Sequence, residues 1–179
     1  LEFPVVGPLE AFNSDGLRSL MKSLSVPNMI EKTLRYAGYV DKVSVLKASG
    51  LFSEEEMEVK GMTVRPIDVT SALLFDQWKL EEGEIDFTVM QIKVSGIKNG
   101  AAMTITYDLY DEYCKDTHIH SMARTTGYAA TVVLGLMMKG KIDLPGVHPP
   151  EDLASQKEWV EDILKGLNSK GVVYHKTIN

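Results

Sequence analysis

The sequence is poor in cysteine and has no long apolar run. Its 179 residues include one cysteine, Cys114, so an internal disulfide framework is excluded. No stretch approaches the roughly 20 consecutive apolar residues that a membrane-spanning helix needs, and the start shows no basic segment followed by an apolar one. We therefore expect no membrane association and take the cytoplasm as the default location.

A phosphate-binding glycine motif is also missing. The chain has 14 glycines, but they form neither the G-x-G-x-x-G turn of dinucleotide-binding domains nor a Walker-type loop. A nucleotide cofactor would have to be bound by another part of the protein. Lysine and arginine are scattered and total 19 against 25 acidic residues, so the net charge of −6 argues against nucleic acid as a partner.

The composition is that of an ordinary globular domain. Apolar residues make up 44% of the chain and charged residues 25%, and a domain of this size can bury roughly 70% of the surface that its unfolded chain exposes. We expect one domain over residues 1–179. Because the opening run Leu1–Val6 reads as a strand already under way, we interpret the chain as part of a longer polypeptide.

The first half of the sequence predicts strands and helices in alternation. Residues 28–36 alternate as in a strand, and a helix that ends at Gly50 follows them. A second helix is expected after Pro66, because proline is tolerated in the first helical turn. The runs 84–96 and 101–113 then predict two strands of a long hairpin.

The connection between these runs contains Asn99 and Gly100, the strongest short hairpin signal, because both residues tolerate positive φ. On the second arm, apolar Met103, Ile105, Tyr107 and Leu109 alternate with polar residues. One face of this strand should therefore pack on helices while the other is wetter.

The last third predicts two further helices. Residues 128–138 are apolar nearly all round, which indicates either a central helix or a subunit contact. Ser155 to Glu158 has capping-box spacing before an amphipathic helix that stops before Gly171, and residues 172–175 read as a final strand. Together the elements predict an α+β fold with a mixed, mainly antiparallel sheet packed against helices on one face.

The stretch Ser121–Tyr128 is the strongest candidate for a binding site. We expect a strand to end there in hydroxyls and an arginine, just before the apolar helix. Helix amides, the hydroxyls of Thr125 and Thr126, and the Arg124 guanidinium could together hold a carboxylate. Alternatively, a threonine merely caps the helix and the arginine is solvated.

A second candidate lies near the start of the chain. Arg35 sits on a strand before an aromatic residue and could project into a cleft, although a surface ion pair is an equally good interpretation. The turn containing Asn13 and Asp15 could orient a ligand amine, or these residues could cap a helix.

Cys114, His118 and His120 share strand parity, so they could face one side as metal ligands would. A fourth ligand is not evident. Exposed or singly bonded imidazoles explain the pattern better, and we expect no metal.

Three ordered blocks of the sequence resemble a known family. The first is Leu9–Leu17. The second is Glu31–Tyr36 with Gly38, Leu46 and Gly50–Phe52. The third is Ser121–Gly127, continued by Gly140, Gly146-Val147, Pro150-Glu151 and Leu153. In this order the blocks resemble the saccharopine dehydrogenase and lysine 6-dehydrogenase group.

This resemblance implies that the chain is the substrate-binding and dimerisation domain of a Rossmann-type amino-acid dehydrogenase. In that group a separate Rossmann domain binds NAD or NADP, and it is absent from this chain. The chemistry is hydride transfer between a nicotinamide and the carbon–nitrogen bond of an amino acid or its imine. The resemblance therefore implies an oxidoreductase of lysine metabolism, with a small amino-acid substrate and a homodimer partner.

The resemblance also implies a set of substrate-binding residues: Arg35, Arg124, Thr125 and Thr126, with Asn13 and Asp15 in the turn beside them. One departure weakens the case for a glutarate-bearing substrate. Saccharopine-forming members carry Asn-Arg-Asp-Ser where this chain has Asn13-Ser14-Asp15-Gly16. The rival hypothesis is a non-catalytic binding or scaffold module that has kept the fold.

Overall fold

The computed structural model describes residues 1–3, 5–81 and 83–179. The chain forms two compact units, Leu1–Glu81 and Glu82–Asn179. Every sheet in the described residues is antiparallel, and helices accompany the sheets in both units. The predicted α+β class is therefore confirmed, while the single domain over residues 1–179 stays a prediction.

A three-stranded sheet opens the first unit, in the order β1 (Glu2–Phe3), β2 (Gly7–Asn13), β3 (Lys32–Tyr36). Pro4, which falls in the predicted opening strand, lies outside the described residues. β3 is shorter than the strand predicted over residues 28–36. Its partner β2 ends at Asn13, which pairs with Lys32, so residues 28–31 have no neighbouring strand to bond.

Helices and a short hairpin complete the first unit. A single-turn helix, α1 (Leu20–Ser23), is followed by α2 (Tyr39–Ala48). The hairpin strands β4 (Met57–Val59) and β5 (Met62–Val64) lead into α3 (Pro66–Trp78). The helices predicted before Gly50 and after Pro66 are confirmed.

The second unit is built on a long hairpin. β6 (Phe87–Lys98) pairs with β7 (Ala101–Glu112), and β8 (Tyr174–Ile178) pairs with the other edge of β7. The predicted turn is confirmed, since Asn99 and Gly100 have φ of 53° and 81°, as a type I′ turn requires. The final strand begins two residues later than predicted.

Three helical segments accompany this sheet: α4 (Ser121–Met138), a 3-10 helix (Pro150–Ser155) and α5 (Lys157–Asn168). The predicted capping box at the start of α5 is wrong. Ser155 closes the 3-10 helix, and the residue before α5, Gln156, makes no side-chain capping bond. No helix in the described part of the chain is long and apolar enough to cross a membrane.

The core of the second unit lies between the sheet and α4 and α5. Leu109, Val132, Leu167 and Val172 form one buried cluster, and each such side chain contributes about 1.5–3 kcal/mol when fully buried. This confirms that the Leu109 face of β7 packs on helices. At Gly166 a Cβ would lie 2.5 Å from a Val132 methyl, so the close approach of α5 to α4 depends on this glycine.

Candidate functional site

Helix α4 begins at Ser121, one turn earlier than the sequence suggested. His120 precedes it with extended backbone angles, φ −63° and ψ 148°. The first two helical amides are already bonded, because Ser121 N and Met122 N donate to the Asp86 carboxylate at 2.6 and 2.9 Å. The predicted arrangement, with a helix start at Thr125 and amides open to a ligand anion, is therefore wrong.

Asp86 is thus the anion at this helix start. Burial alone would raise the pKa of its carboxyl, but the bonds from Met122 N, Ser121 N and His120 outweigh that effect and hold the pKa below its usual value. An ionised carboxylate at the positive end of a helix is favourable on dipole grounds as well.

Arg124 lies inside the unit and is paired. Its Nε and Nη2 donate to the two oxygens of Asp111 at 3.2 and 3.0 Å, and the side chains are only 8% and 4% exposed. Nη2 also donates to the Lys170 carbonyl oxygen at 3.4 Å. The guanidinium lies over the Tyr128 ring, 5.6 Å from its centroid. The solvated Arg124 of the alternative interpretation is therefore wrong too.

Neither threonine caps α4. The Thr125 hydroxyl donates back to the Ser121 carbonyl oxygen at 2.9 Å, one turn earlier in the same helix. Thr126, the next residue along the helix, is exposed. Their roles in substrate binding stay predictions.

A cluster of titratable side chains surrounds the start of α4, and sequence reasoning missed it. His120 Nδ1 lies 3.3 Å from Asp86 Oδ1. The Tyr113 ring packs 5.1 Å from the His120 ring, and the Tyr113 hydroxyl bonds His118 Nδ1 at 3.0 Å. Asp86 stands far from His120 in sequence, so no local motif could have linked them.

The prediction that Cys114, His118 and His120 share strand parity is wrong. Residues 115–118 form a turn closed by the bridge between Cys114 and Ile119, and His118 has φ of 54°. Hydrogen bonds with Thr117, first through its side chain, lower the pKa of the Cys114 thiol. Within the described ranges no group of three His, Cys, Asp or Glu residues is placed to hold a metal.

Arg35, in the first unit, is exposed on β3. Its Nη1 donates to the Leu34 carbonyl oxygen at 2.7 Å, and its guanidinium lies 5.6 Å from the centroid of the Tyr39 ring. No carboxylate of the described residues forms an ion pair with it. Among these residues the surface ion pair of the alternative interpretation is not formed.

Asn13 and Asp15 lie near one end of the same sheet. Asn13 ends β2 opposite Lys32, three residue pairs from the Glu10–Arg35 pair, or roughly 10 Å along the strand. Asp15 pairs with Arg18 at 3.4 Å, and both side chains are largely exposed. Neither residue caps α1, whose preceding residue is Ser19, so the capping alternative is wrong.

Residues 2–172 match the family described as the saccharopine dehydrogenase C-terminal domain. Carboxyaminopropylagmatine dehydrogenase of Synechocystis is 24% identical across this whole chain and 45% of its own length. Saccharopine dehydrogenase (NADP(+), L-glutamate-forming) of Schizosaccharomyces pombe is 33% identical over 60% of this chain and 23% of its own. Carboxynorspermidine synthase of Vibrio cholerae is 28% identical over 85% of this chain and 38% of its own.

The chain spans less than half the length of each of these relatives. The family match nonetheless extends over nearly all of this chain, from the first strand to Val172 beyond α5. It includes all three sequence blocks that suggested the resemblance. The chain therefore belongs to the saccharopine dehydrogenase C-terminal domain family.

Proposed function

We propose that the intact protein is an NAD(P)-dependent oxidoreductase that acts on the carbon–nitrogen bond of an amino acid or a carboxylated amine. This chain is its substrate-binding and dimerisation domain. The family match over residues 2–172 carries the proposal. The relatives support the proposal. Two of them are named dehydrogenases, and each of the three is named after one carboxylated amine: saccharopine, carboxyaminopropylagmatine or carboxynorspermidine.

The nicotinamide cofactor belongs to another part of the intact protein. The residues of this chain do not fit it, because they include no glycine-rich turn that could approach a pyrophosphate. The contribution of this chain is then to hold the substrate. Calorimetry should detect no micromolar binding of NAD or NADP to the isolated chain, and such binding would contradict this assignment.

Arg35 is the better placed of the two candidate arginines for a substrate carboxylate. Its guanidinium is exposed, stacked on Tyr39 and without an acidic partner among the described residues. Arg124 would have to release Asp111 before it could bind another carboxylate, and that would leave a buried acid unpaired. We therefore assign the substrate carboxylate to Arg35, and to Arg124 the support of α4.

The substrate amine is assigned to the turn beside this strand. In the described part of the chain, the ion pair that Asp15 forms is the exposed one with Arg18, and such pairs are worth about 0–1 kcal/mol. A substrate ammonium could therefore displace Arg18 at little cost. Asn13 offers an amide oxygen on the neighbouring strand end.

Dimerisation is proposed from apolar surface that α4 leaves uncovered. Leu134, Met137 and Met138, at i, i+3 and i+4 spacing on one face of this helix, are 56%, 47% and 81% exposed. A monomer seldom leaves a patch of this kind open to water, and homodimers are the commonest oligomers. Sedimentation equilibrium of the intact protein should give a dimer, and a concentration-independent monomer would refute this part.

The activity is tested with the intact protein and a panel of amines. Lysine, saccharopine, carboxyaminopropylagmatine and carboxynorspermidine are each supplied with NAD+ or NADP+, and nicotinamide reduction is followed by absorbance. At least one pair should react. If no pair reacts while an amine still binds by calorimetry, the non-catalytic binding module replaces the oxidoreductase.

A further inference from the structure

The sheet of the first unit places an acid directly opposite Arg35. Glu10 on β2 and Arg35 on β3 form a register pair, so their side chains lie on the same face of the sheet. Among the described residues the two form no ion pair. The Glu10 carboxylate instead accepts a hydrogen bond from Val40 N at 3.1 Å, in the first turn of α2. The acid that faces Arg35 is therefore bound to the helix.

One edge of the Arg35 guanidinium is open. Nη1 donates to the Leu34 carbonyl oxygen, while Nε and Nη2 have no hydrogen-bond partner in the described part of the chain. Arg124 uses the same two atoms, Nε and Nη2, to hold the two oxygens of Asp111. Arg35 thus keeps free the edge with which an arginine binds a carboxylate through two parallel hydrogen bonds.

Tyr39 holds this guanidinium in place. Its ring centroid lies 5.6 Å from Arg35 Cζ. The same ring stacks on Phe12, with centroids 5.9 Å apart and planes 7° apart. Phe12 lies on β2 two residues after Glu10, so it shares the sheet face of Arg35. An exposed arginine samples many rotamers, and contact with a ring that is itself packed on the sheet restricts them before a ligand binds.

We infer that Tyr39 is a positioning residue for the substrate carboxylate, because its ring holds Arg35 with the Nε–Nη2 edge open to the ligand. The inference rests on the proposed function, which assigns the substrate carboxylate to Arg35. The attraction is of the cation–π type, between the negative face of the ring and the positive guanidinium. Tyr39 strengthens binding by reducing the entropy that Arg35 loses, and it takes no part in the chemistry.

The test measures binding to the intact protein by calorimetry, with the amine that binds most tightly among the four named for the activity test. Tyr39 is replaced by phenylalanine, and then by phenylalanine carrying one, two or three ring fluorines. These rings keep the shape that stacks on Phe12, while fluorine withdraws electron density from the ring face. We expect Tyr39→Phe to bind almost as the wild type does. With each added fluorine Kd should rise, by about 2- to 10-fold over the series.

Two controls separate positioning from a general effect on the fold. In an Arg35→Ala background the fluorine series should leave Kd unchanged, because no guanidinium is left to hold. Tyr36→Leu removes an aromatic ring next to Arg35 on the opposite face of the sheet, and it should leave Kd unchanged as well. If the intact protein turns the amine over, the fluorine series should raise KM and keep kcat, as expected for a group that acts on binding alone.

The outcomes distinguish this inference from the proposed function. If Arg35→Lys raises Kd and the fluorine series does not, the role of Tyr39 is overturned and the assignment of the carboxylate to Arg35 stands. If Arg35→Lys leaves Kd unchanged, that assignment fails and the role of Tyr39 fails with it. A protein that binds the amine without oxidising it contradicts the proposed oxidoreductase, and the fluorine series still decides the role of Tyr39 because Kd is measured without turnover.

Discussion

Arg35 and Arg124 occupy the same local motif and have opposite environments. Each arginine is followed by Gly-Tyr at the third and fourth positions after it, in Arg35-Tyr36-Ala37-Gly38-Tyr39 and Arg124-Thr125-Thr126-Gly127-Tyr128. Each guanidinium lies 5.6 Å from its tyrosine centroid. Only Arg124 is buried and paired, because β7 supplies Asp111.

The comparison shows that the local arginine–tyrosine motif does not determine what the arginine does. A motif of five residues fixes the arginine–tyrosine contact, which follows from the spacing along the chain. Whether the guanidinium is free to bind a ligand depends on a residue elsewhere in the sequence. A buried arginine with a bidentate acid supports structure, and an exposed one without an acid can bind an anion.

The largest expected effect is the loss of the buried pair. Asp111→Ala leaves the Arg124 charge buried without its partner, which typically costs about 3–5 kcal/mol. Urea unfolding followed by circular dichroism should show this loss in the free energy of unfolding. Arg35→Ala is the matched control and should change that free energy by no more than about 0.5 kcal/mol. Equal losses in the two variants would break the comparison.

The next effect concerns binding. Arg35→Lys keeps the charge but loses the planar fork, so we expect KM for the amine substrate to rise about 10- to 100-fold, equivalent to roughly 1.5–3 kcal/mol. The unfolding free energy should stay the same.

Arg124→Lys is the informative counterpart, because it should lower stability while changing KM little. If Arg124→Lys raises KM and Arg35→Lys does not, the substrate carboxylate belongs to Arg124 after all. Steady-state kinetics and unfolding curves of both variants, measured on the intact protein, distinguish these outcomes.

The sequence predicted the elements that depend on neighbouring residues. The Asn99-Gly100 hairpin, the helix after Pro66 and the α5 helix arise from turn chemistry and periodicity, and the structure confirms them. The three ordered blocks also identified the family correctly.

The sequence could not predict contacts between distant segments. Asp86 caps α4 from before β6, so the helix starts at Ser121 although the apolar pattern suggested a later start. Asp111, on β7, likewise pairs with Arg124 from a distant part of the sequence. Aspartate is common on surfaces, and neither residue carries a local signal of its partner.

The smallest effect extends the comparison to an exposed ion pair. His148 is paired with Asp152 near the surface, and its pKa is raised chiefly by that bond. A group whose folded pKa lies above its unfolded value of about 6.5 stabilises the fold most below that pH. The contribution is lost as pH rises through the folded pKa.

His148→Asn keeps a donor to Asp152 but removes the charge, so it should lower Tm slightly at pH 5.5 and leave Tm unchanged well above neutrality. Differential scanning calorimetry at both pH values measures this, with His175→Asn on β8 as the control, because His175 has no ion-pair partner among the described residues. A larger Tm loss at high pH than at low pH would show that the pair does not act through its charge.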